Sequence, residues 1–159
     1  MIIREIKPED NKYIQTIMTN CFKEFDLPIS GSSLEDEDVK RMHEGFQDKR
    51  AVYYVVEDEG SLLGGGGVKQ LKGADQDTCE LQKMYFHPDA RGKGFGKQVF
   101  DLCIKAAKEF NYKLCYLESA SQLKSAIKLY KKNGFKHLNK PLGNTGHIIC
   151  GVYMLKDLT

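Results

Sequence analysis

Met84-Tyr85-Phe86-His87-Pro88-Asp89-Ala90-Arg91-Gly92-Lys93-Gly94-Phe95-Gly96 is the stretch on which the fold turns. Before it, Thr78 to His87 alternates as a strand does, which puts Glu80, Gln82, Met84 and Phe86 on one face and Leu81, Lys83 and Tyr85 on the other. Pro88 ends that strand. After it, Val99, Phe100, Leu102, Cys103, Ala106, Ala107 and Phe110 recur at helical spacing, so a helix opens near Gly96 and closes at Asn111. Between strand and helix, Gly92, Gly94 and Gly96 remove side chains, and several backbone N–H groups can converge on an anion at the helix N-terminus. Two common phosphate loops fail the test of spacing. Gly94 follows Lys93 where a metal-assisted loop needs Ser or Thr, and glycines spaced by two do not make G-x-G-x-x-G. A pyrophosphate cradle remains, beside the plainer reading of a glycine turn that only connects strand to helix.

Working outward, Met1 to Ile6 reads as a first strand, punctuated by Pro8, with Asp10 available as an N-cap. Tyr13, Ile14, Ile17, Met18, Cys21, Phe22 and Phe25 recur at helical spacing, and Val39, Met42 and Phe46 suggest a weaker second helix capped by Ser33 or Asp36. Ala51–Glu57 and Leu62–Leu71 form a hairpin across Asp58-Glu59-Gly60-Ser61. Four consecutive glycines, Gly64 to Gly67, weaken the return strand and imply a bulge or a close backbone approach, as to a ligand. Lys113–Glu118 is a short buried strand, Leu123–Lys132 a helix closed by Asn133-Gly134, and Phe135–Leu138 and Ile148–Leu155 the last two strands. The order β-α-α-β-β-β-α-β-α-β-β predicts an α/β (α+β) fold, a mixed sheet covered by helices, with no internal repeat or linker.

The central stretch resembles the signature of the GNAT N-acetyltransferases, Gln/Arg-x-x-Gly-x-Gly/Ala, which Arg91-x-x-Gly94-x-Gly96 matches at every fixed position. A second stretch, Ala126-Ile127-Lys128-Leu129-Tyr130-Lys131-Lys132-Asn133-Gly134-Phe135, resembles that family's later helix and strand. The likeness reaches motif level over residues 78–136, and the element order follows the family fold throughout. It implies a single N-acetyltransferase domain over residues 1–159, with a mostly antiparallel central sheet and helices on both faces.

The resemblance also implies roles. Acetyl-CoA would be the co-substrate, its pantetheine arm pairing with the backbone along Met84, Tyr85 and Phe86. Its pyrophosphate would be held by amides from Arg91, Gly92, Lys93, Gly94, Phe95, Gly96 and Lys97. A main-chain N–H on the Met84–Phe86 strand would stabilise the tetrahedral oxyanion. Tyr130 matches the tyrosine that protonates the departing thiolate, and Glu80 occupies the position of the glutamate base in the histone-acetylating branch. His147 is a second candidate base. Leu123 stands where many relatives carry a cofactor-contacting Asn, and Phe95 where the glycine loop usually has a small aliphatic residue.

Composition narrows the partners. With 41% apolar and 29% charged residues, the chain reads as a globular protein. It shows neither a signal-peptide pattern nor a long apolar span, so a cytoplasmic protein with no membrane partner is expected. Five scattered cysteines without CxxC or zinc-ligand spacing predict buried thiols and no metal. Residues 1–82 carry 10 Lys+Arg against 17 Asp+Glu, whereas residues 83–140 carry 13 against 4. The basic half suits the phosphates of coenzyme A, and the acidic half, which in this fold builds the acceptor site, suits a cationic amine. Phe25, Asp26, Tyr53, Gly65 and Tyr153 are expected near it. A near-neutral total without aromatic–basic interleaving argues against nucleic acid. The expected acceptor is a primary amine of a small molecule. A protein N-terminus or lysine, or a non-catalytic acyl-CoA sensor, are the alternatives. A homodimer through the terminal strands is open.

Overall fold

The computed structural model describes residues 1–159. Seven strands form one sheet in the order β1-β2-β3-β4-β5-β7-β6. They are β1 (Ile2–Glu5), β2 (Val52–Asp58), β3 (Ser61–Gln70), β4 (Thr78–Phe86), β5 (Leu114–Ser119), β6 (Lys136–Leu138) and β7 (Val152–Asp157). All neighbours run antiparallel except β4 and β5, which the crossover helix α3 (Phe95–Glu109) joins in parallel. The β2–β3 hairpin closes through Glu59-Gly60, both at positive φ, as a two-residue turn matched to strand twist requires.

Helices cover both faces, as expected. On one face α3 and α4 (Lys124–Lys132) bury Val99, Phe100, Cys103 and Tyr130 against Val68, Leu81 and Leu117 of the sheet. On the other, α1 (Asn11–Glu24) buries Ile14, Met18 and Cys21 against Tyr53 and Val55, with Met42 from the one-turn helix α2 (Met42–Gly45). Asp10, at the head of α1, accepts hydrogen bonds from Arg4 Nη1 at 2.7 Å and from the Lys7 amide at 2.7 Å, which fastens the helix to β1.

Four local expectations need correction. The second helix is broken into short turns at Ser33–Glu35, Glu37–Lys40 and Met42–Gly45. Asp36 adopts an extended conformation (φ −59°, ψ 137°) while its carboxylate reaches Lys83 and His147. Those tertiary bonds outweigh the modest helix propensity of the segment. The last strand starts at Val152, not Ile148, because residues 139–151 form a loop whose Gly143, Gly146 and Gly151 sit at positive φ. The glycines of β3 do flank a bulge, with Leu63 as the extra residue, but the close approach is to this chain's own backbone and side chains. A Cβ on Gly65 would lie 2.4 Å from the Tyr54 carbonyl oxygen and 2.7 Å from the Tyr53 ring.

The fourth correction concerns β4. Gly65 faces Tyr85 and Gly67 faces Gln82, so Lys83 and Met84 together oppose Gly66 alone. Lys83 takes φ +56°, the mark of a β-bulge. The extra residue reverses the alternation. Met84 and Phe86 join Leu81 in packing towards α3, and Glu80 shares a cavity with Tyr85, so Glu80 and Met84 do not share a face.

Candidate active site

β4 and β5 pair only from Thr78 to Glu80 against Leu114 to Tyr116. Beyond that point the strands part, and a cleft of about 400 Å³ opens between the end of β4, the loop before α3 and the start of α4. The β4 edge facing this gap turns the N–H groups of Met84 and Phe86 towards it, away from β3. The His87 N–H is bonded to the Leu63 carbonyl on β3, so strand alternation turns the N–H groups of Met84 and Phe86 the other way. The Phe86 carbonyl confirms the direction, since it accepts from Arg91 Nη2 at 2.7 Å.

The loop ahead of α3 supplies donors. Ala90 and Arg91 spend their amides on the His87 and Pro88 carbonyls, and Gln98 donates to Gly94. Between them, the amides of Gly92, Lys93, Gly94, Phe95, Gly96 and Lys97 donate to no group of the chain. Gly94 caps α3 at φ +81°, a left-handed conformation that glycine adopts without steric cost. Six consecutive free amides at the positive end of a 15-residue helix make an anion site. The Arg91 side chain is not among the free donors. It bridges the Phe86 carbonyl and Glu24 on α1, with Nη2 2.8 Å from Glu24 Oε2, so it holds the loop in place.

Gly92, Gly94, Gly96 and Lys97 line the cleft together with Met84, Tyr85, Phe86 and Arg91. Lys93 does not line it, and Phe95 packs against the core under α3. Tyr130 lines the same cleft, wedged between Phe100 and Phe135 with ring centroids 6.0 and 5.9 Å away. Burial pushes its phenol far above the ordinary value, so it is a proton donor at neutral pH. Phe25 also reaches this cleft, whereas Tyr53 is buried beneath β4, donating to the Lys83 carbonyl at 2.8 Å.

Glu80 lies in a second, smaller cavity of about 60 Å³ that shares Tyr85 and Leu123 with the cleft. Leu123, where polarity was expected, gives that shared wall an apolar surface. Glu80 is 7% exposed, and burial pushes its carboxyl up to about 7, with the Lys83 ammonium pulling downward and Glu118 pushing further up. His147 is no loop side chain in solvent. It is buried between Asp36, 2.9 Å from Nε2, and Glu118, 3.4 Å from Nδ1. Desolvation pulls its pKa down, but the Asp36 hydrogen bond and the neighbouring Cys150 and Glu118 side chains prevail and raise it to about 11. An imidazolium of that strength is a fixed cation at neutral pH and no base. In the sequence Asp36 reads only as a helix cap and Glu118 only as the end of a strand, and nothing local marks either as part of a site. Only the fold brings them to His147.

The sequence profile of the acetyltransferase (GNAT) family matches residues 14–135. The chain belongs to the GNAT acetyltransferase family. This GNAT N-acetyltransferase is 39% identical over 158 residues to the uncharacterised N-acetyltransferase YjgM of Escherichia coli K12, covering 99% of this chain and 95% of YjgM. Among solved structures, a GNAT acetyltransferase of Staphylococcus aureus Mu50 superposes with a TM-score of 0.86 at 20% identity, covering 99% of both chains. The yncA protein of Salmonella typhimurium, solved with its cofactor acetyl-CoA, gives 0.79 at 20% identity, covering 100% of this chain and 94% of its own. At such identities the two structures show the GNAT fold alone. No helix of this GNAT protein is long and apolar enough to cross a membrane.

Proposed function

We propose that residues 1–159 act as one domain that transfers an acetyl group from acetyl-CoA to the primary amine of a small molecule. One observation carries the reading. The free amides of Gly92, Gly94, Gly96 and Lys97, the edge of β4 at Met84–Phe86 and the side chain of Tyr130 all line one cleft. The acetyl-CoA bound to yncA supports the same co-substrate here.

In this reading the amides hold the pyrophosphate, and the β4 edge pairs with the amides of the pantetheine arm. An N–H from that edge receives the negative charge that develops on the thioester oxygen. An ammonium cannot attack a thioester, so Glu80, poised near neutrality, is the base that takes the amine proton, directly or through water. The neutral amine attacks directly, the tetrahedral intermediate collapses, and Tyr130 protonates the leaving thiolate. Burial that holds the phenol proton in place also makes a desolvated thiolate more basic, which keeps the two matched. Around the smaller cavity Asp36, Glu80 and Glu118 outnumber Lys83 and His147 by one charge once Glu80 ionises, which favours a cationic acceptor.

The test is mass spectrometry of products after incubation with acetyl-CoA and a panel of amines, polyamines, amino acids and peptides. An acetylated small amine is expected. Acetylation of peptides alone would move the acceptor to proteins, and tight acetyl-CoA binding without any product would make the chain a sensor.

A further inference from the structure

Glu118, His147 and Cys150 offer one carboxylate oxygen, one imidazole nitrogen and one thiol sulfur within 4.8 Å of one another, beside the cavity that Glu80 lines. The geometry points to a binding site for a zinc-class divalent ion at these three side chains. Three features of the structure carry the assignment, and none depends on the acetyl-transfer reading.

The first is an orphan acceptor. The Glu118 side chain is 3% exposed, and its Oε2 has no hydrogen-bond partner. A buried carboxylate oxygen without a donor costs stability, and here only the His147 imidazole faces it, at 3.4 Å and without a hydrogen bond. Its sister oxygen Oε1 is fully engaged, accepting from the Thr145 hydroxyl at 2.8 Å and from the Tyr116 hydroxyl at 3.0 Å. These two bonds fix the carboxylate plane and leave Oε2 turned towards His147.

The second is a distance. Glu118 Oε2 and His147 Nδ1 lie 3.4 Å apart. Zinc–nitrogen and zinc–oxygen bonds of about 2.0–2.1 Å place two donors of a tetrahedron roughly 3.3–3.4 Å apart, so this edge is already at metal-ligating length. The Cys150 thiol, on the loop at 139–151, needs to close by about an ångström to complete a face.

The third is the outer shell. The other imidazole nitrogen, Nε2, faces the Asp36 carboxylate at 2.9 Å, the partner that a metal-bound histidine commonly has. The cavity of about 60 Å³ bounded by the same three side chains has room for a water as fourth donor. A carboxylate, an imidazole and a thiolate suit Zn²⁺ better than Mg²⁺ or Ca²⁺, which prefer all-oxygen sets. On binding, the ion takes up the thiolate of Cys150 and the neutral imidazole of His147, and their two protons pass to solvent with no change of oxidation state. The bound ion would fasten the loop at 139–151 to the end of β5.

The full chain, stripped with a chelator and desalted, is titrated with Zn²⁺ and its metal content measured after gel filtration. One ion per chain is expected. Cys150→Ser and His147→Gln should each weaken binding at least about 100-fold, Asp36→Asn about 10–100-fold, and exposed His137→Gln not at all. Cobalt substitution of the unaltered chain supplies a readout that no misfolded variant can confuse, namely a thiolate-to-metal charge-transfer band with tetrahedral ligand-field absorption. Absence of stoichiometric zinc, a cobalt spectrum of six-coordinate form, or zinc affinity left unchanged by Cys150→Ser and His147→Gln would each overturn the site.

Discussion

Glu80 shares its small cavity with Lys83, Glu118 and His147, and the balance among burial and those charges leaves its carboxyl at about 7. The sign of this shift fixes two consequences. Because the folded value lies above the unfolded one, ionising Glu80 weakens the fold as pH rises through about 7, a cost borne where the chemistry needs a base. For catalysis the carboxylate is the active form, so in chelator-treated protein kcat should rise with pH, about tenfold per unit, up to about 7 and level off above it. Glu80→Gln should remove that break and lower kcat roughly 10²–10⁴-fold. An unaltered profile in the variant would contradict the assignment. Tyr130 and Glu80 were visible in the sequence through their spacing from recognisable motifs. The grouping of Asp36, Glu118 and His147 was not, because 111 residues separate the first and last of them and no local pattern links such distant positions.

At the scale of elements, β4 shows how far alternation can be followed. Period-two reading assigned Glu80 and Met84 to one face, yet the bulge at Lys83 inserts a residue and turns them apart. Nothing in Gln82-Lys83-Met84 announces an extra residue. The nearest hint was across the hairpin, in Gly64 to Gly67, where the expected bulge is present in β3 itself, with Leu63 as the extra residue beside Gly64, and a second one lies in β4 at Lys83. Those glycines serve packing in unequal degree. A Cβ on Gly66 would meet the flexible Met84 side chain, whose Sδ can move, but one on Gly65 would meet the Tyr54 carbonyl and the buried Tyr53 ring. Gly65→Ala should therefore cost about 1–3 kcal/mol and Gly66→Ala less, read from urea midpoints at constant slope. Equal midpoints would mean that β3 and Tyr53 shift freely. The glycine loop, by contrast, was legible in outline, because a run of glycines before a helix declares a free backbone directly, although the Arg91 amide is spent on the Pro88 carbonyl and Lys93 and Phe95 stand off the cleft.

At the scale of the molecule, the uneven charge of the sequence acquires a spatial meaning. The basic half supplies α3, α4 and the cradle between Gly92 and Lys97, while acidic side chains from the first half, Asp36 and Glu80, meet Glu118 at the smaller cavity. The parting of β4 and β5 joins the two regions, and it follows from a parallel pair of only three residues inserted into an otherwise antiparallel sheet. Element order was readable from hydrophobic periodicity, and the helices on both faces from the family resemblance. The depth of the gap was not, since it depends on where pairing stops. The central claim is that this gap binds acetyl-CoA and that Tyr130 protonates the thiol it releases. The measurement that tests it most directly is thiol release from acetyl-CoA with an accepted amine, for the unaltered chain and for Tyr130→Phe, with acetyl-CoA affinity determined by calorimetry in both. The account predicts unchanged affinity and a kcat lowered about 10²–10⁴-fold in the variant. Equal rates in the two proteins, or no binding of acetyl-CoA to either, would contradict it.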